Sequence, residues 1–308
     1  VNVPDPLPDA LARNNRLSFP AAADAWLASL PARVAALAGR FGLAEVGPPF
    51  PGLSYNYVAP AVRAADGAPV VLKVGVPREE IATEIAALRF WGGDGAVRLL
   101  DAAPEEGALL LERLEPGTEL VTLRDDDAAT RAAALVMRRL WRPVPDDAPS
   151  FPHASAWAAD LAGLRPHYGG GTGPFPTALV DRAEGLFRDL FASEGSRVLL
   201  HGDLHHYNVL AGRGEWLAID PKGVTGEPAY EAGALLRNPL DVSEWPDLAR
   251  VTARRLDILA ETLDLDRERL RRWALAQAVL SAWWSAEGNP DETAAYGGIA
   301  VAETLERA

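Results

Sequence analysis

A chain of 308 residues with 48% hydrophobic and 24% charged side chains can fill two lobes of ordinary globular character. It has no cysteine, which excludes disulfides and thiol chemistry. A formal net charge of -13 provides no general attraction to phosphate, so a nucleic-acid partner is not expected and a cationic ligand is favoured over an anionic one. No basic segment followed by an apolar one opens the chain and no run reaches membrane-spanning length; the expectation is a cytoplasmic protein without a membrane partner, monomeric or weakly dimeric.

Residues 1–46 read as helical and amphipathic, with Trp26, Leu27, Leu30, Val34 and Leu37 at helical spacing and Gly39 and Gly42 as stops. From Pro48 to Pro77 the pattern changes. Tyr55 to Val62, the turn Ala65-Asp66-Gly67, and Val70 to Val74 predict a β-hairpin. Lys73 lies inside this second apolar strand, where burial is costly unless the charge is paired; alternation also allows it a solvent-facing position. A helix over Glu79–Trp91 follows, stopped by Gly92-Gly93. Its Glu84, on the side bearing Ile81, Ile85 and Leu88, is the expected partner of Lys73, with Glu80 one turn earlier as the alternative. Strands are predicted at Val97–Leu100 and Ala108–Leu111, and the latter runs on in extended form through Glu112, Arg113 and Leu114 to Pro116-Gly117.

Helices then dominate. They are predicted over Asp125–Trp141, Ser155–Leu164 and Thr177–Ala192, and later over Tyr230–Leu236, Trp245–Leu263, Asp266–Trp284 and Asp291–Glu306. Gly169-Gly170-Gly171-Thr172-Gly173 lacks the Lys-Ser/Thr that a phosphate-cradling P-loop requires.

The stretch from Val198 to Gly223 carries the chemistry. An apolar strand, Val198-Leu199-Leu200, delivers His201-Gly202-Asp203 into a loop. After Asn208 a second strand starts, Gly212-Arg213-Gly214 turns the chain, and Glu215–Ile219 returns it to Asp220. Two carboxylates and a carboxamide therefore leave the ends of neighbouring short strands. The spacing His201-x-Asp203-x4-Asn208, with a later Asp220, fits a phosphoryl-transfer template: one carboxylate orients the acceptor hydroxyl while the Asn and the later Asp hold magnesium. Two other readings compete. One groups His201, Asp203, His205 and His206 as a zinc site, which the absence of cysteine weakens. A kinase-shaped protein without activity is opposed by the presence of Asp203, Asn208 and Asp220 together.

With Lys73, Glu84, the Leu111–Leu114 segment, His201-Gly202-Asp203 and Asp220 in this order, the chain resembles the aminoglycoside phosphotransferase family, and within it the streptomycin 6-kinase and hydroxyurea phosphotransferase branch. Further stretches carrying the resemblance are Ala96-Val-Arg-Leu-Leu, Ile219-Asp-Pro-Lys-Gly and Leu280-Ser-Ala-Trp-Trp. The resemblance implies an α+β, bilobal protein-kinase-like fold, with a small antiparallel-sheet lobe and helical extension over residues 1–115 and a mainly helical lobe over 116–308. It implies ATP and Mg2+ as cofactors, Asp203 as catalytic base, Asn208 and Asp220 as metal ligands, and Lys73, supported by Glu84, at the nucleotide phosphates. Backbone groups of Glu112, Arg113 and Leu114 would meet adenine. The glycine-poor stretch Pro49 to Asn56 stands where a glycine-rich loop is expected, with Ser54 as its nucleotide contact. Glu231, Trp283, Trp284 and Glu287 are the expected acceptor-binding residues. Acidic and aromatic groups suit a small, cationic, hydroxyl-bearing molecule such as an aminoglycoside, with a housekeeping sugar or amino alcohol as the alternative.

Overall fold

The computed structural model describes residues 7–145, 150–239, 245, 247–287 and 296–308. The backbone divides into two compact units, 1–117 and 118–308, and the class is α+β.

The first unit opens with helices α1 (Asp9–Ser18) and α2 (Ala23–Arg40). The predicted helical stretch ends short of Val46. Gly42 takes a left-handed φ of 61°, and Leu43–Val46 forms strand β1 against β2 (Tyr57–Arg63). Pairing with a neighbouring strand outweighs the helical preference of Leu, Ala and Glu there. The hairpin from β2 to β3 (Pro69–Val74) forms around the predicted turn. Helix α3 (Glu79–Trp91) follows, then β4 (Leu99–Ala103) and β5 (Ala108–Glu112). The β4 strand lies later than the predicted Val97–Leu100, because its pairing with β5 runs from Leu99 to Ala103. The sheet is antiparallel in the order β1-β2-β3-β5-β4. One apolar core joins Trp26, Leu30, Val34 and Leu37 of α2 to Tyr57, Ala59, Leu72, Val74 and Leu110 of the sheet. The helical extension thus supplies part of the sheet's buried face, and the Trp26 indole N–H donates to Gly75 O at 3.1 Å.

The chain leaves this unit within β6 (Pro116–Glu119). In the second unit α4 (Asp126–Leu140) is capped by the Asp125 carboxylate, which accepts from Ala128 N. The helix predicted over Ser155–Leu164 is instead three short pieces: α5 (Ala154–Ala158), a 3-10 stretch over Ala159–Gly163, and α6 (Leu164–His167). Helix α7 (Thr177–Ala192) follows. The apolar strand β7 (Val198–Leu200) pairs with β10 (Val224–Gly226), a strand the sequence reading missed, while β8 (Val209–Gly212) and β9 (Glu215–Ala218) form the predicted hairpin. Pro228–Glu231 is a 3-10 turn leading into α8 (Ala232–Leu236). Helices α9 (Leu248–Leu263), α10 (Arg267–Ala286) and α11 (Tyr296–Arg307) complete the unit. The α9 start is fixed by the Asp247 cap; the rest of the predicted Trp245 start, at 246, and the predicted start of the last helix at Asp291 lie outside the described residues. Helix α10 is packed against α7, α8, α9 and α11, with Trp273, Leu280 and Trp283 fully buried along it.

Candidate active site

In the first unit, Lys73 stands on β3 opposite Val58 and Leu109, and its side chain is 6% exposed. Burial of an ammonium in an apolar sheet is tolerable only with a counter-charge. Glu84 of α3, 4% exposed, supplies it: Lys73 Nζ lies 2.6 and 2.8 Å from the two carboxylate oxygens. Glu80, the alternative, turns back to Arg78 Nε at 3.0 Å. Of the other expected nucleotide contacts in this unit, Ser54 is exposed in the turn before β2, and Leu114 is buried. Glu112 is held at the end of β5, its Oε1 accepting from Arg98 N at 2.7 Å, and Arg113 lies 3.9 Å from Glu115.

In the second unit the loop after β7 is fixed from every side. Gly202 has a φ of 85°, and a Cβ there would sit 2.7 Å from the Trp157 ring and 3.0 Å from Val224, so only glycine fits. The Glu231 carboxylate accepts from both His201 N (2.7 Å) and Gly202 N (2.9 Å). His201 is fully buried. Its Nε2 meets Ile219 O at 2.8 Å and must carry the proton, leaving Nδ1 to accept from Asp203 N at 3.2 Å. Burial pushes this imidazole down to about 4, so it stays neutral and acts as a strut between the two ends of the site. Lys222 N donates to His201 O at 2.8 Å, and Ile219 N donates to Asn208 O at 2.9 Å. Asp220 holds a left-handed φ of 57°, an uncommon conformation for a non-glycine residue, at the point where β9 delivers it to the site.

This scaffold brings Asp203, Asn208 and Asp220 together. Asn208 Nδ2 donates to Asp203 O at 3.0 Å, which commits the amide nitrogen to the loop and leaves Oδ1 as the atom that could meet a metal. The Asp203 carboxylate is 30% exposed, with His205 Nε2 at 3.6 Å from Oδ2, Arg237 Nη2 at 3.5 Å from Oδ1, and Lys222 close enough to act on its charge. Burial alone would raise its pKa, but His205, Arg237 and Lys222 hold it well below the usual carboxylate range. Lys222 Nζ also lies 3.8 Å from Asp220 Oδ2. An amide oxygen and a carboxylate form the hard-oxygen donor set that magnesium takes, usually with phosphate and water completing the octahedron; the residues fit that ion. They do not fit zinc. His201 is engaged by backbone at both ring nitrogens, and no group of three or more His, Asp or Glu among the described residues is arranged to hold a metal.

The expected acceptor residues divide. Glu231 is 2% exposed with both oxygens occupied by loop amides, so it holds the loop and is not available to an acceptor. Trp283 is 1% exposed, donating to Asp160 O at 3.0 Å and packed edge-on against His167, so it is core. Trp284 is 37% exposed, donates to Asp160 Oδ2 at 3.1 Å, and meets Trp157 edge-on at 6.3 Å between ring centres. Because Trp157 also lies against Gly202, an aromatic row runs from α10 to the catalytic loop. Glu287 is exposed at the C-terminal end of α10. Sequence reasoning missed Trp157, Asp160 and Arg237 as neighbours of this site, and placed His205 beside Asp203 only in the zinc reading. Lys222 was visible within Asp220-Pro-Lys-Gly, and its fixed distance from Asp220 could have been used.

A model of the aminoglycoside/hydroxyurea antibiotic resistance kinase family matches residues 42–288. The chain is 36% identical to streptomycin 6-kinase of Streptomyces griseus over 98% of its own length and 97% of that protein's. It is 37% identical to hydroxyurea phosphotransferase of Kitasatospora aureofaciens, covering 92% and 81% of the two chains. Among solved structures it is similar in fold to a choline/ethanolamine kinase family protein from Mesorhizobium loti (TM-score 0.66, 16% identity, 91% and 95% covered). It is also similar to an aminoglycoside phosphotransferase in ternary complex with ADP and hygromycin B (TM-score 0.58, 15% identity, 88% and 97% covered). The chain belongs to the aminoglycoside/hydroxyurea antibiotic resistance kinase family and is a small-molecule phosphotransferase.

Proposed function

We propose that this protein transfers the γ-phosphoryl group of ATP to a hydroxyl of a cationic, aminoglycoside-like molecule, with streptomycin as the first acceptor to test. The observation that carries the reading is the placement of Asp203 on a loop pinned by the Glu231 carboxylate and by Asn208, with His205 and Arg237 at 3.6 and 3.5 Å from its carboxylate oxygens; these neighbours favour its ionised form. So acidic a carboxylate is a weak base in the ground state. Its work is to accept a hydrogen bond from the acceptor hydroxyl and aim the oxygen in line. The proton moves late, once the new P–O bond has made that hydroxyl acidic. Asn208 and Asp220 would hold magnesium, which supplies neutralisation of phosphate charge when bound. Lys73, kept extended by Glu84, stabilises charge on the nucleotide. Catalysis on this account is positioning and electrostatics.

The acceptor class is supported by the exposed Asp160, Trp284 and Glu287 and the half-buried Trp157 in the same unit as Asp203, and by the net charge of -13. Indole faces and carboxylates attract guanidinium and ammonium groups. Hydroxyurea is the second acceptor, favoured by the 37% identity to a hydroxyurea phosphotransferase. ADP release from Mg-ATP with each acceptor, with mass spectrometry of the acceptor, tests the reading. Phosphorylated streptomycin supports it. Phosphorylation of hydroxyurea alone moves the assignment to the second acceptor, and turnover with a sugar or amino alcohol alone removes the antibiotic assignment.

A further inference from the structure

Among the described residues, Arg237 stands beside Asp203 with surroundings that do not account for its charge. It follows α8 directly, its side chain is 15% exposed, and its contact with Asp203 is a single long one, Nη2 to Oδ1 at 3.5 Å. Nη1 is buried and has no hydrogen-bond partner among the described residues. A guanidinium taken out of water costs several kcal/mol unless good geometry and full hydrogen bonding return it. Here burial disfavours the charged form, as the downward push on its pKa reflects.

The backbone on both sides of Arg237 is nevertheless built to keep it in place. Arg255, 2% exposed, donates from Nη1 to Leu235 O (3.1 Å) and Asn238 O (2.5 Å), the carbonyls that flank Arg237. Arg255 is itself clamped by Asp126, with Nε at 3.1 and 3.0 Å from the two carboxylate oxygens. Asn238 Nδ2 ties back to Ala234 O at 2.9 Å. An under-paired cation on so fixed a backbone is preorganised for an anion that comes with the ligand.

We propose that Arg237 contacts the transferring phosphoryl group beside Asp203, Nη1 donating to one of its equatorial oxygens. This rests on the phosphotransferase reading above. In the step, the acceptor oxygen forms the new P–O bond and the β,γ-bridging oxygen leaves with ADP. The acceptor proton passes to Asp203 and then to solvent. Charge spreads over the equatorial oxygens as the group moves, and a planar fork held next to the attacking oxygen meets that charge better than it meets the ground state. The same cation keeps an acceptor's own ammonium groups away from the reacting hydroxyl.

The test is steady-state kinetics of Arg237→Gln, Arg237→Lys and Arg237→Ala against wild type, with Mg-ATP and whichever acceptor wild type phosphorylates. Thermal melting and ADP titration are run on each protein. Arg237→Gln is expected to lower kcat about 100-fold, the usual cost of losing one donor to developing charge, with the KM for ATP and acceptor and the ADP affinity changed less than about threefold. Arg237→Lys should fall between, and guanidinium ion added to Arg237→Ala should restore part of kcat. A merely structural role would lower the melting temperature, show no guanidinium rescue and leave the kcat of the folded fraction unchanged, and would overturn the proposal. Wild-type turnover with Arg237→Gln within threefold of it overturns this inference alone; wild type that phosphorylates no acceptor overturns the phosphotransferase reading and this inference with it.

Discussion

At the residue scale, the Lys73–Glu84 pair separates stability from activity. Both side chains are almost fully buried and make two short contacts. Removing one partner strands the other charge in an apolar sheet. Lys73→Met should therefore cost about 3 kcal/mol of stability by urea unfolding, in the range of broken buried pairs. Lys73→Met combined with Glu84→Leu replaces the pair by apolar groups and should recover most of that loss. Activity should stay at least about tenfold down in both proteins, since the nucleotide has lost a cation. Recovery of activity together with stability would show that Lys73 serves the fold and not the phosphates. Lys73 was legible because a lysine in a valine run demands a reason. Arg237 was not, since it stands far from Asp203 in sequence and no local pattern announces which loop a residue after a short helix will face.

At the element scale, the segment from β7 to β10 is a loop stapled to its surroundings by backbone. Glu231→Ala would leave the amides of His201 and Gly202 buried without acceptors, each costing about 1–3 kcal/mol. The expected result is a lower urea midpoint together with loss of turnover, because the loop that carries Asp203 loosens. Glu231 as an acceptor-binding group predicts a raised KM with stability intact, and a kinetic and unfolding comparison separates the two. Gly202→Ala should likewise lose activity, with the new methyl 2.7 Å from Trp157. The strands and hairpin here were readable from short apolar runs between glycine turns. The strand β10 was not, because Val224-Thr-Gly is too short to show a period and forms only by pairing with β7. The same reason applies to β1, where Leu-Ala-Glu-Val favours helix locally and is drawn into the sheet by β2. Helix α7, long and strongly periodic, matched its predicted bounds.

At the scale of the whole molecule, two buried histidines set the acid limit of stability. Burial lowers His201 to about 4 and His206 to about 3, while both would titrate near the ordinary 6.5 in the unfolded chain. The stability tied to their neutral forms is present above pH 6.5 and is lost as pH falls toward 4, at about 1.4 kcal/mol per pH unit for each histidine. Glu231 acts oppositely. Burial raises it to about 7, so between its ordinary 4.5 and 7 the folded state holds the extra proton and offsets one histidine. The net acid sensitivity between pH 6.5 and 4.5 is thus close to one proton. Both ring nitrogens of His206 are buried with no hydrogen-bond partner among the described residues, so His206→Leu should hold or raise stability at pH 7.5 and nearly abolish the slope in that window. A slope unchanged in His206→Leu would contradict the account.

The central claim is that Asp203 directs phosphoryl transfer from ATP to a hydroxyl of a cationic small molecule. It is tested most directly by acceptor-dependent ADP release from Mg-ATP with streptomycin, in wild type and in Asp203→Asn. The account predicts stimulation by the acceptor in wild type and a loss of about 100-fold or more in Asp203→Asn, with ADP affinity retained. Near-full turnover by Asp203→Asn would contradict the assignment of Asp203.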